Sequence, residues 1–181
     1  MNTDIMIDLE TLDTTPNATI LTIGVIKFDP FGDDLNTKNC EKLYLKVDVD
    51  SCNELGLSTS SATIAWWGEQ SKAAQDEAFS TEGRIHIRDA FDKLYKFCWG
   101  AQRVWSHGAA FDIIICENVF AKLEKMVPWN FWQVRCTRTL FDIGINPETG
   151  ADVLVKPGAI QIVLTATGTR RSSAGNPLKY N

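Results

Sequence analysis

Hydrophobic and polar positions in the first fifty residues fall into short runs with the two-residue period of strands. Apolar side chains fill I-M-I-D-L-E at 5–10, I-L-T-I-G-V-I-K-F at 20–28 and L-Y-L-K-V-D-V at 43–49, with the turn-rich D-P-F-G-D-D between the last two. This pattern predicts strands at about 4–9, 20–29 and 43–49, joined as an antiparallel meander. The period then lengthens. Ser60 or Ser61 can cap a helix through Trp66 and Trp67, and Ser71 can cap another reaching Phe79. A third helix spans about 84–98, with Ile87, Phe91, Leu94, Tyr95 and Cys98 on one face. Val104 and Trp105 form a short strand that enters the small-residue turn Ser106 to Ala110, after which Phe111-Asp112 opens a helix with an apolar stripe from Ile113 to Leu123. Gln133 to Cys136 reads as a short strand leading into a helix over 137–143. Hairpin-ordered strands followed by helices alternating with short strands predict an α/β fold with a mixed central sheet.

Two features of this layout carry chemistry. Asp8 and Glu10 lie two residues apart on the first strand, so both carboxylates project from one face. Adjacent carboxylates repel unless a cation neutralises them, so the pair is either a hard-metal site or a solvated strand edge. Asp112 stands at a helix start, where an aspartate either caps the orphan amides or belongs to a site shared with other elements. His107, five residues before Asp112, sits in a turn that points to a structural hydrogen bond rather than proton transfer. His86 reads as a surface residue at a helix start.

The motifs M-I-D-L-E-T at 6–11, A-T-I-A-W-W-G-E-Q-S at 62–71, V-W-S-H-G-A-A-F-D at 104–112, and P-W-N-F-W with R-C-T-R-T-L at 128–140 occur in an order that resembles the DEDD exonuclease superfamily. The nearest likeness is to the branch of exodeoxyribonuclease VIII and the 3'-5' exoribonuclease-like domains, and it covers residues 1 to about 150. The resemblance implies a ribonuclease-H-like fold and two divalent ions, Mg2+ or Mn2+, held by Asp8, Glu10 and Asp112 as three of the four family carboxylates. It further implies substrate contacts. Leu9 corresponds to a residue that wedges against the terminal nucleotide, Thr11 to one that bonds its hydroxyl, and Trp66, Trp67 and Arg138 are candidate base and phosphate contacts. Taken one at a time, the same tryptophans, with Trp129, Phe131 and Trp132, suit a core better than a base contact. Arg135, like Arg138, fits a phosphate contact or a solvated face.

One family element is missing from the sequence. A fourth aspartate preceded four residues earlier by His or Tyr is expected near the C terminus, and no such pair occurs after Asp112. Residues 154–181 hold four of the 18 basic groups and none of the 23 acidic ones, so the preceding part carries −9 and this tail +4. Ile160 to Thr167 has the β-branched content of a strand. The expected organisation is an exonuclease-like domain at 1–152 and an atypical tail at 153–181, frameshifted or disordered, with the C-terminal helix missing or replaced.

At 181 residues and 44% hydrophobic content the chain supports one sizeable core. Five scattered cysteines without C-x-x-C or paired histidines argue against zinc and a disulfide framework. No apolar run approaches a membrane span, and no signal-like segment precedes the first strand, so a cytoplasmic protein without a membrane partner is expected. A net charge of −5 argues against a protein that coats duplex through a broad basic surface, yet suits one that grips a few terminal nucleotides through metal ions. The expected function is a 3'-5' exonuclease that releases nucleoside monophosphates from single-stranded DNA or RNA ends. A catalytically impaired, prophage-like remnant that binds ends or a protein partner is the alternative; for either, the oligomeric state is open, a homodimer among the options.

Overall fold

The computed structural model describes residues 3–30 and 40–139. Three strands, β1 (Asp4–Thr11), β2 (Ile20–Phe28) and β3 (Lys42–Val47), form the antiparallel meander that the alternation predicts. Their register pairs Asp8 with Gly24 and Gly24 with Tyr44, and in the next row Glu10 with Thr22 and Thr22 with Lys46. Parallel strands extend both sides. β4 (Arg84–Ile85) joins β3, β5 (Arg103–Ser106) joins β1, and β6 (Val134–Cys136) joins β5, giving the order β4-β3-β2-β1-β5-β6. The sheet is therefore mixed, and the α/β class expected from the sequence holds.

Among the described residues it is accompanied by α1 (Val49–Glu54), α2 (Ser61–Gly68), α3 (Lys72–Phe79), α4 (Ile87–Cys98) and α5 (Asp112–Lys122). The main core lies on the sheet face carrying Ile5, Ile7, Leu9, Ile23 and Val25. Phe91 and Leu94 of α4 pack there with Ile113, Val119 and Phe120 of α5. Phe91 and Phe120 meet edge to face, 4.8 Å between centroids. Each such wholly buried ring contributes about 1.5–3 kcal/mol by leaving water. A smaller cluster joins Leu12, Leu21, Trp67 and Ala78, which fixes α2 and α3 near the end of β1.

Helix starts follow their caps. Ser71 accepts from Ala74 N as expected, whereas Ser60 occupies the N-cap of α2 without a side-chain bond. The helix expected from 84 starts three residues later, because Arg84 and Ile85 pair with β3 and His86 becomes the cap, its Nδ1 accepting from Arg88 N. α1 was not anticipated. It is a single short helix capped by Asp48, too brief to show a period. Residues 137–139 continue as helix after β6; the predicted remainder to 143, the tail from 153 and the missing final helix lie outside the described residues.

Asp4, a strand residue of no evident chemistry in the sequence, is completely buried. Its Oδ2 accepts from Arg103 Nε and from Trp105 Nε1, each at 2.7 Å, tying β1 to β5. Removing one partner of a buried pair strands the other, so Asp4→Ala is expected to lower stability by about 2–3 kcal/mol, the partial exposure of Arg103 keeping it at the low end. Urea denaturation measures it; a loss under about 0.5 kcal/mol would show that the pair does not hold the strands together.

Candidate active site

Parallel pairing of β1 with β5 stops at Met6–Trp105, because the chain leaves β5 through His107 to Phe111. Backbone beyond Met6 on that side of β1 therefore needs new partners. Leu9 N–H finds one in Asp112 Oδ1, 3.1 Å away and 103 residues along the chain. Asp112 is thus not spent on capping its own helix: Phe111 holds the N-cap position, without a side-chain bond, and the Asp112 carboxylate turns back toward β1.

The surroundings of that carboxylate are unusual for an acid. It is 4% exposed, and burial followed by the negative charge of Asp8 pushes its pKa up to about 7, against the lowering pull of the Leu9 amide, the Ser106 side chain and its own N–H. Ser106 Oγ, itself buried at the end of β5, lies beside the Asp112 carboxyl and completes no well-formed hydrogen bond among the described residues. Asp8 and Asp112 are therefore brought within electrostatic reach of each other. Glu10, one strand-repeat further along β1, shares the face of Asp8, and both are half-buried. Among the described residues no three carboxylate, imidazole or thiol groups are clustered closely enough to enclose a metal ion by themselves.

Other candidate residues divide by orientation. Leu9 faces opposite to Asp8 and Glu10 and its side chain is part of the main core, so its contribution here is its amide. Thr11 is buried, its hydroxyl donating to Asp13 O at 2.7 Å. The adjacent tryptophans point apart. Trp67 is 4% exposed with Nε1 donating to Thr11 O at 2.9 Å, whereas Trp66 is 47% exposed and meets Trp67 edge to face. Arg138 is exposed and lies against Gly108 in the turn before Asp112, its guanidinium carbon 3.7 Å from where a Cβ on that glycine would stand. Gly108 has φ +132°, a conformation that suits glycine and lets the turn pass under the guanidinium. His107 Nδ1 shares a 3.0 Å hydrogen bond with Thr137 Oγ1, the structural role its turn position suggests.

Two residues beside the site escaped the sequence reading. Ser106 looked like the first residue of a small-residue turn. Tyr44 looked like an ordinary strand position, yet its Oη donates to Glu77 Oε1 at 2.8 Å and is also close to Thr22 and Glu10. Burial, then the bond to Glu77, push this phenol up to about 12, so it is a donor rather than a base at neutral pH. Lys46, the next residue on the same face, pairs with Glu77 at 3.3 Å. The signal was the alternation Tyr44, Lys46 in register with Gly24 and Thr22, which only the strand pairing reveals.

With carboxylates gathered at a strand-to-helix junction of a mixed sheet, the chain belongs to the family of 3'-5' exoribonuclease Rv2179c-like domains, whose family model matches residues 3–158, and so to the DEDD ribonuclease-H-like exonucleases. It is also similar to an exodeoxyribonuclease of Enterobacteria phage T4, 26% identical over an alignment 159 residues long that covers 75% of this chain and 69% of that protein. A crystallographic structure of the nuclease domain of 3'hExo, a DEDDh family member bound to rAMP, is similar over 86% of this chain and 82% of that one, with 15% identity and a TM-score of 0.41. No helix among the described residues is long and apolar enough to cross a membrane.

Proposed function

We propose that this chain is a divalent-metal-dependent 3'-5' exonuclease that hydrolyses phosphodiester bonds at the 3' ends of single-stranded DNA or RNA and releases nucleoside monophosphates. The observation that carries the reading is the Asp8–Asp112 pair: a buried carboxylate held against a second one by a backbone amide from a distant strand. Such an arrangement is costly on its own, and a cation relieves it.

The donor set fits Mg2+ or Mn2+. Asp8, Glu10 and Asp112 offer only carboxylate oxygens, and a hard cation that keeps waters and accepts substrate phosphate oxygens needs few protein ligands. When bound, two such ions supply an activated water and stabilise the leaving 3' oxygen. The chain's own residues do the rest. Leu9 N–H and the burial of Asp112 fix one carboxylate in place, so that little reorganisation accompanies the reaction. Arg138, which lies beside the turn that leads into α5, meets a phosphate of the entering strand in this reading, and the exposed ring of Trp66 takes a base. Leu9, Thr11 and Trp67 act by shaping and holding β1 rather than by touching substrate with their side chains.

A 5'-labelled single strand incubated with magnesium or manganese is expected to shorten stepwise from its 3' end, and Asp8→Ala to abolish the shortening. Binding without cleavage at every metal concentration would instead establish the impaired, end-binding protein.

A further inference from the structure

The aromatic residues of P-W-N-F-W part company in the structure. Trp129 is 6% exposed, its Nε1 donating to Glu117 at 3.0 Å and its ring edge to face with Phe120. Phe131 and Trp132 are 82% and 60% exposed and stand edge to face with each other, 5.0 Å between centroids. They are not on a loose end. They belong to a 3-10 turn, Phe131–Gln133, closed by a capping box between Asn130 and Gln133, and Gln133 Nε2 donates to Ala101 O at 2.6 Å. Two large rings presented to solvent on a fastened turn mark a binding surface.

Charge and position indicate what binds there. From Met126 to Thr139 the chain carries two arginines and no acid, although the protein as a whole has a net charge of −5. Both arginines are exposed. Arg135 donates from Nη1 to Trp132 O at 2.7 Å and to Val134 O at 2.8 Å, which anchors its guanidinium beside the aromatic turn. Arg138 lies against Gly108, next to the helix that bears Asp112. Among the described residues β6 is the outermost strand on its side of the sheet. From Trp132 to Arg138 the chain rises roughly 10–15 Å, strand-like over β6 and more tightly in the 3-10 turn before it and the helix after it, the length of two or three nucleotides.

We infer that the β6 edge is a track for the part of a single strand on the 5' side of the end being cleaved, with phosphates on Arg138 and Arg135 and bases stacked on Trp132 and Phe131. The inference rests on the exonuclease reading of the Asp8–Asp112 site. Aromatic rings interleaved with arginines suit sequence-tolerant recognition of exposed bases, and Arg138, lying against Gly108 in the turn that leads to Asp112, brings one end of the patch to the helix bearing that carboxylate, which a self-association patch would not require.

Fluorescence anisotropy tests it on the full chain carrying Asp112→Asn, so that strands survive the measurement, with manganese and single strands of about three and about twelve nucleotides. The longer strand is expected to bind more tightly. Phe131→Ala with Trp132→Ala should reduce that length preference about fivefold or more, the lower end of what one stacked base contributes. Arg135→Gln alone, which spares both rings, should lower the slope of log affinity against log salt by about one. If the longer strand binds undiminished in both variants, the track does not exist. A shift from dimer to monomer in the aromatic double variant, with long-strand affinity unchanged, would assign the patch to a second copy of the chain and overturn the inference while leaving the exonuclease reading intact. Failure of both strand lengths to bind, together with an inactive unsubstituted chain, would take down both.

Discussion

Asp112→Asn is expected to leave a folded protein whose exonuclease turnover is lower by about a thousandfold, the several kcal/mol that one carboxylate supplies in a two-metal clamp. The substitution separates chemistry from structure because the amide oxygen of asparagine can still accept from Leu9 N–H, now 3.1 Å from Asp112 Oδ1. What is lost is the negative charge opposite Asp8. Asp112→Ala would remove the charge and also orphan the Leu9 amide, so it confounds the two effects. Single-turnover degradation of a labelled strand in saturating manganese, with circular dichroism as the control for folding, gives the comparison. Turnover within about threefold of the parent chain would mean that this carboxylate does not hold metal during the reaction, and the assignment of Asp8 and Glu10 would lose its partner.

The sheet was legible where one face alternates and turns interrupt it. β1 to β3 fall within two residues of their expected bounds, and the Ser71 cap was visible because a side-chain acceptor before a run of helix formers is a local signal. Elements whose existence depends on distant groups were not legible. β4 is two residues long, and its Arg84 donates to the carbonyls of Leu21, Val47 and Ala78, contacts that no window of neighbouring sequence contains. α1 depends on Asp48 and on Ser51, whose hydroxyl also accepts from Ile87 N.

The site was half legible for a similar reason. Two acids on one strand must share a face, so Asp8 and Glu10 followed from the two-residue period alone. Asp112 did not, since a helix-start aspartate satisfies local capping equally well, and only the 103-residue reach to Leu9 decides between them. Adjacent tryptophans are equivalent in composition; helical geometry turns Trp67 inward and Trp66 outward. Leu9 shows how the strand period divides neighbouring motif positions. Its neighbours on both sides face the site, and the same strand period that places them there turns its side chain into the core.

The pair of acids that should make this chain a nuclease should also make it fragile when metal is absent. The Asp112 carboxyl, ordinarily ionising near 3.8, does so at about 7 in the folded protein. The native state therefore binds this proton more tightly than the unfolded chain does. Stability from this group is fully present below about pH 4, declines as pH rises toward 7, and is gone above it, a total on the order of 4 kcal/mol at 1.36 kcal/mol per pH unit. In chelator, urea denaturation of the parent chain should show falling stability between about pH 4.5 and pH 7.5, whereas Asp112→Asn, with no proton to lose there, should show a flatter profile and exceed the parent near pH 8. Subtracting one profile from the other cancels the distant acids and leaves Asp112 together with its coupling to Asp8, which the substitution also removes. Magnesium reverses the order by favouring the ionised carboxylate, and at about a hundredfold over its dissociation constant adds about 2.7 kcal/mol to the parent chain near pH 8. Parallel profiles in chelator would show that Asp112 is not held at its raised pKa. Equal stabilisation of both proteins by magnesium would place the ion elsewhere. Opposed responses, gain for the parent and little for the variant, tie the cost of the buried carboxylate to the cation that relieves it, with no reference to catalysis.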